Sequence, residues 1–494
     1  MNAASTQLRF DRNILLFGEE GQRRLMDTHV LLHGTNTLSQ KIALSLISLG
    51  IGRLSLIGPE HLQGYDPSDF LLYLNPSRPA EGMKADGLRS TLEQIALRGK
   101  QQVDSYGIPP DPGFLSFLSP DIIIDATNAL ESKDALSAYA MSHGTHLISA
   151  SATSTDGLAQ LCSSGQSPVD RASLERLIGK DYGIFTGSIT AGLVSNLVRR
   201  IAIPFANEQK TLPPVLTQSY ALSRIAGITT PIDAPDALPW PSSRPYAGVK
   251  ALVIGTGGIG NFLALDLALL GITHVTLVDP DVIEESNLNR QPLLYGRVGK
   301  PKATVIGERM GLIYPGVSAR PLVDFFSYKH DDRGRFQVLP EPLASEHYDL
   351  IFSCVDNETS RLAINDYAVQ TRTVLVQGRL GTGSGLHTYV PGRNRCIDCQ
   401  ENLRASLENQ KATGLDVDKV LGPGCQLESN PNIVVPNIIV AGLMTEEGLR
   451  ALYRPASFAR QKDALFYEGV GSFPFSFRGG VDPYYQAHPC IDVS

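Results

Sequence analysis

The sequence predicts an α/β protein made of two tandem Rossmann-like domains, each on a mainly parallel sheet. Three observations predict it: an internal repeat, an alternation of strand and helix patterns within each copy, and a glycine-rich turn between a strand and a helix in the second copy. Residues 34–59 and 255–280 align without gaps at an offset of 221, with ten identities in 26 positions. Further matches pair 120–124 with 348–352 at offset 228, and Ala191-Gly192-Leu193 with Ala441-Gly442-Leu443 at offset 250. The growing offset means that the second copy carries added sequence, mostly between Val390 and Pro436.

Each element has a local reason. Val30-Leu31-Leu32 and Ala251-Leu252-Val253-Ile254 are short apolar runs that end at a turn, the mark of a buried strand. Leu263, Leu267 and Leu270 recur at helical spacing, and Val275-Thr276-Leu277-Val278 is a β-branched strand. Leu350-Ile351-Phe352 is a further buried strand. Between the copies, residues 211–245 are rich in Pro, Ser and Thr and read as an irregular linker. The expected organisation is a degenerate domain over 1–210, a linker over 211–245 and an active domain over 246–494.

Composition narrows the class. Of 494 residues, 42% are hydrophobic and 19% charged, which suits a globular chain. Forty-three Lys and Arg against 50 Asp and Glu leave a net charge of −7, which argues against nucleic acid or an anionic membrane as the partner. No apolar run approaches the roughly 18 residues of a membrane span, and the N-terminal stretch lacks a basic segment followed by an apolar one, so a cytoplasmic protein is expected. Six cysteines are too few for a disulfide scaffold.

The second copy carries the chemistry. Gly255, Gly257, Gly258 and Gly260 lie where a strand opens into a helix, so the backbone can approach phosphate and the helix N-terminus can face it. Asp279 and Asp281 end the next strand, at the spacing that suits ribose hydroxyls. Asn287, Asn289, Arg290 and Gln291 follow, then Lys302. Hydride transfer has no need of an Arg and a Lys there; a triphosphate does. Asp356, just past a buried strand, is a hard carboxylate suited to Mg²⁺, or alternatively a helix N-cap.

In order and spacing these five motifs resemble the ThiF/MoeB/HesA family, relatives of ubiquitin-activating enzymes. The resemblance covers nearly all of residues 245–494. It implies that Asp279 holds the ribose of ATP, that Asn287, Arg290 and Lys302 grip the phosphates, that Gln291 supports the site and that Asp356 holds Mg²⁺. The implied reaction is attack of a carboxylate on the α-phosphate, giving an acyl-adenylate and pyrophosphate. In the first copy the same positions read Asn36 in the turn, Gly58 for the ribose carboxylate and Asn128 for Asp356, so no ATP is expected there. Upstream, Arg9-Phe10-Asp11-Arg12-Asn13-Ile14 resembles the family's opening segment, whose second Arg reaches a partner's ATP. With the duplication this implies a pseudo-dimer in one chain, Arg12 acting on the second half's nucleotide; a monomer or a homodimer of chains both fit.

Cys396 and Cys399 form a C-x-x-C that the resemblance makes half of a zinc site. Cys490, with His488 or Asp492, would have to complete it. Cys425 lies in a Gly-rich stretch where some family members keep an acyl-accepting thiol. The expected substrate is a carboxylate at the C-terminus of a small ubiquitin-like carrier protein or a short precursor peptide. The competing readings are a nicotinamide-dependent oxidoreductase and a non-catalytic scaffold.

Overall fold

A computed structural model of the chain describes residues 8–77, 81–153, 156–163, 171–175, 177, 183–203, 215–221, 246, 248–330, 336–380, 384–412, 432–453, 455, 464–468 and 476–480. Helix α1 (Asp11–Asp27) comes first and is bent at Gly18, where φ is 70°. The first copy follows as β1 (His29–His33), α2 (Thr37–Leu49), β2 (Arg53–Ile57), β3 (Gln102–Tyr106), β4 (Ile122–Asp125), β5 (His146–Ala152), β6 (Asp156–Cys162), α3 (Ile184–Ala202) and β7 (Val215–Ala221). These strands form one sheet in the order β3-β2-β1-β4-β5-β6-β7. The first five are parallel and the last two antiparallel.

The second copy repeats this plan. It runs β8 (Lys250–Ile254), α4 (Gly258–Leu269), β9 (His274–Val278), α5 (Lys302–Ile313) and β10 (Ser318–Leu322), then the small hairpin β11 (Ser327–His330) and β12 (Phe336–Leu339). It continues with β13 (Leu350–Ser353), α6 (Glu358–Thr371), β14 (Val374–Arg379), β15 (Ser384–Tyr389), α7 (Ile397–Glu401), α8 (Val434–Tyr453), β16 (Ala464–Glu468) and β17 (Ser476–Gly480). The sheet order is β10-β9-β8-β13-β14-β15-β16-β17, again parallel through its first five strands. Strands β8 and β13 are neighbours with crossovers to opposite sides. The strand order therefore reverses between them, and ligands of open α/β sheets sit outside that point.

One expectation needs correcting. Residues 215–221, inside the stretch read as irregular linker, form β7 and pair with β6 from Asp156↔Ala221 to Cys162↔Val215. Pro and Ser content marks where chain is irregular on average; it does not register a strand completed by pairing with an existing edge.

The halves meet through α3 and α8, helices whose described side chains are almost all buried, polar ones such as Ser188, Asn196, Asn437 and Thr445 among them. Small residues set their separation. A Cβ on Gly192 would lie 2.3 Å from Ile439 Cγ1, and one on Gly442 would lie 2.7 Å from the backbone oxygen of Phe185. Helix propensity alone would favour Ala over Gly at position 442 by about 1 kcal/mol. The clash is with rigid backbone and should outweigh that gain, so Gly442→Ala is expected to destabilise the chain by about 1–3 kcal/mol. Urea unfolding measures it, and a stabilised variant would contradict the close crossing.

Candidate nucleotide site

The site is built around the turn from β8 into α4. Gly255 has φ of 91°, and a Cβ there would stand 2.8 Å from the Cys354 carbonyl oxygen; one on Gly260 would stand 2.1 Å from the Gly255 carbonyl oxygen. These two glycines close the turn. At Gly258 a Cβ would meet Asn437 Oδ1 at 2.0 Å, whereas around Gly257 the nearest atom is Gln291 Nε2 at 3.8 Å. Gly257 caps α4 with no side-chain hydrogen bond, so the first N–H groups of the helix keep their capacity to bind an anion.

Asp279 follows β9 and is 4% exposed. Its Oδ2 accepts from the Thr256 N–H at 2.6 Å and the Thr256 hydroxyl at 2.9 Å, and its Oδ1 accepts from the Asp281 N–H at 2.9 Å. Burial raises its pKa, and the nearby Lys302 ammonium opposes that rise. Lys302 opens α5 and donates to Asp281 Oδ2 at 2.8 Å. Asp281 thus acts as the tether of Lys302.

The loop after β9 is pinned by Asn261 Oδ1, which accepts from the Leu293 N–H at 3.0 Å. Asn287 accepts from the Glu284 N–H at 3.0 Å and fixes a helical turn. Arg290 donates to the Ser286 carbonyl and to Asn289 Oδ1, both at 2.9 Å. Gln291 is 3% exposed, and its Oε1 has no hydrogen-bond partner among the described residues. Asn289, read as a nucleotide ligand, has another place. It is fully buried, its Nδ2 donates to Asn13 Oδ1 at 2.8 Å, and its Oδ1 is held by Arg290. Its Nδ2 also donates to the Asn432 carbonyl at 3.4 Å, so in this structure the amide joins the two halves.

Asn13 belongs to α1 of the first half and is itself anchored on Gln22 Oε1 at 3.0 Å and the Leu49 carbonyl at 2.9 Å. Nearby, Arg9 faces Glu285 across the halves at 3.7 Å. Arg12 therefore arrives beside Arg290. Burial, and next the Arg12 charge, lower Arg290 to about 10, while Asp11, Asp356 and Glu284 act in the opposite sense. Two guanidinium groups from different halves, with an uncapped helix N-terminus in the same site, make a place for a polyanion.

Asp356 is exposed just beyond β13. The N-cap of α6 is its neighbour Asn357, which accepts from the Ser360 N–H at 2.8 Å. That removes the capping reading of Asp356 and leaves a hard oxygen donor, which fits Mg²⁺. Burial pushes up the thiol pKa of Cys354, and that of Cys162 to about 11. Neither suits nucleophilic work.

The C-x-x-C pair sits at the start of α7, with Sγ atoms 3.1 Å apart. A tetrahedral zinc shell holds its sulfurs about 3.8 Å apart, for Zn–S bonds of about 2.3 Å, so these two thiols stand closer together than zinc ligands would; among the described residues no third His, Cys, Asp or Glu joins them. Cys425, His488, Cys490 and Asp492 lie outside the described residues. The sequence reading missed Asn261, Asn437 and the Asn13–Asn289 contact. An Asn inside the apolar run Val434–Met444 was the available signal for Asn437, whose Oδ1 has no hydrogen-bond partner among the described residues.

The first copy shows the same turn closed from within. Asn36 caps α2 by accepting from the Ser39 N–H at 2.9 Å and donates to the Ala126 carbonyl at 2.7 Å. A Cβ on Gly58 would stand 2.5 Å from Glu60 Oε2, and Asn128 Oδ1 accepts from Ser151 at 2.9 Å. Titration with a non-hydrolysable ATP analogue should therefore saturate at a single site per chain. Saturation at two would contradict the closed first turn.

The ThiF family model matches residues 10–181 and 246–473, one stretch in each copy. The adenylyltransferase and sulfurtransferase UBA4 of Yarrowia lipolytica is 34% identical over 151 residues, 30% of this chain and 36% of that protein. Ubiquitin-like modifier-activating enzyme 5 of Arabidopsis thaliana is 25% identical over 253 residues, 49% of this chain and 55% of that protein. The chain thus spans between about a third and about half the length of these relatives. Among solved structures, E. coli MccB bound to succinimide is similar at a TM-score of 0.37 and 20% identity, over 48% of this chain and 64% of that one. That likeness is too distant to bear on activity.

Proposed function

We propose that this chain, which belongs to the ThiF family, activates a carboxylate by ATP-dependent adenylation in its second half. The observation that carries the reading is the convergence of Arg12 and Arg290, on a loop whose next residue, Gln291, is the nearest neighbour of the uncapped start of α4. Hydride transfer from a nicotinamide gains nothing from two arginines, whereas attack on an α-phosphate needs positive charge on the transition state and on the leaving pyrophosphate. The family membership supports the same choice over a scaffold.

In this reading Gly255, Gly257, Gly258 and Gly260 let the phosphates approach the backbone, and Asp279 accepts from the ribose hydroxyls. Arg290, Lys302 and Arg12 neutralise the triphosphate, with Asn287 and Gln291 shaping the loop around it. Asp356 would hold Mg²⁺, which shields the phosphate charge when bound. The incoming carboxylate attacks the α-phosphorus in line, the bond to the β-phosphate oxygen breaks, and an acyl-adenylate and pyrophosphate result. The substrate is the C-terminal carboxylate of a small ubiquitin-like carrier protein or of a short precursor peptide, and Cys425 is a candidate acceptor of the activated acyl group. Cys396 and Cys399 would hold structural zinc together with Cys490 and His488 or Asp492.

Two expected outcomes test this. Arg12→Ala and Asp356→Ala should each lower substrate-dependent ATP–pyrophosphate exchange by about 10²-fold or more, with unchanged thermal unfolding, because both side chains face the site rather than the core. Exchange within about threefold of the unmodified chain, roughly 0.6 kcal/mol, would remove the residue concerned from the mechanism. Metal analysis of unchelated protein should find about one zinc per chain, lost in the Cys396→Ser/Cys399→Ser variant; zinc that persists there belongs elsewhere.

A further inference from the structure

Lys41 and Asp266 form an ion pair between the halves, Nζ to Oδ1 at 2.6 Å, with both side chains 0% exposed. They come from α2 and α4, the corresponding helices of the two copies. The ammonium also donates to the Ile184 carbonyl at 2.6 Å and to Ser188 Oγ at 2.8 Å, and the Ser188 hydroxyl donates to Asp266 Oδ1 at 2.8 Å. Burial lowers the Lys41 pKa and raises that of Asp266, and each charge opposes the shift of the other. A pair this deep adds little stability over an apolar contact of the same shape, but removal of one partner leaves an uncompensated buried charge.

The two copies differ at these very positions. The offset of 221 puts Phe262 where the first copy has Lys41, and Ser45 where the second has Asp266. Contacts across a two-fold pairing of identical units are reciprocal. A pair of second halves would therefore bury each Asp266 against Phe262, and a pair of first halves would bury each Lys41 beside Ser45. We infer that the Lys41–Asp266 pair is a partner-selection device: through it the second half accepts the first half and rejects another copy of itself. Specificity of this kind rests on penalising the wrong partner as much as on rewarding the right one. The need for it is that the first half is what brings Arg12 beside Arg290, so pairing with it, and not with another second half, places that arginine at the site. This last consequence alone rests on the adenylation reading.

The test places each wrong contact inside the intact chain. Lys41→Phe sets an aromatic ring against Asp266, as a pair of second halves would, and Asp266→Ser leaves Lys41 beside a hydroxyl, as a pair of first halves would. Urea unfolding of both single variants and of Lys41→Phe/Asp266→Ser gives a double-mutant cycle that needs no activity measurement. Each single variant should unfold at clearly lower urea, or fail to fold. The double variant should recover most of the loss, with a coupling of at least about tenfold in the unfolding equilibrium constant. Single variants as stable as the parent chain would mean that the wrong contacts carry no penalty and would overturn the inference. A double variant no better than the worse single would assign the effect to packing and overturn it equally.

Discussion

The site depends on how closely α3 and α8 can cross. At Gly192 and Gly442 neither helix has room for a Cβ, so the two sheets are held at one separation by backbone and methyl groups. That contact sets where α1 of the first half falls on the second. Asn13 then reaches Asn289, Asn289 holds Arg290, and Arg12 comes alongside. A bulkier interface would part these groups, and a guanidinium displaced by an ångström no longer bridges the oxygens it was aimed at.

The duplication has divided one job between two copies. Both copies keep the strand order and the turn, yet the unpaired N–H groups at the helix start are treated in opposite ways. In the first copy Asn36 caps the helix with its own side chain, which stabilises the domain and occupies the Ser39 N–H. In the second the cap position is Gly257, with no side-chain hydrogen bond, which leaves the donors at the helix start open to an anion. The first half brings the α1 residues Arg12 and Asn13 against the second. Family membership is shared by both copies, while the charged groups gather in one.

Much of this was legible in the chain because strands, helices and tight turns are encoded within a few residues. The repeat at offset 221, the glycines of the turn and the acidic residues past the strands pointed to the fold and to the site. Roles set by contacts between distant positions were not legible. Asn289 sits in a motif read as nucleotide-binding, but only folding reveals that its amide reaches Asn13, 276 residues away. Lys41, a lysine within a helix, reads as a solvated residue until the other half covers it. Residues 215–221 look irregular until the edge of β6 pairs with them. Cys425 and the far half of the zinc set fall outside the described residues.

The central claim is that one chain supplies both arginines to one nucleotide. Mixing an Arg12→Ala chain with an Asp356→Ala chain tests it most directly, because each lacks a different half of the machinery and each retains what the other has lost. If Arg12 serves the site of its own chain, the mixture shows no more pyrophosphate exchange than the sum of its two components at any concentration. Exchange that rises with concentration well above that sum would mean that Arg12 reaches the nucleotide of another chain, and would contradict the pseudo-dimer account.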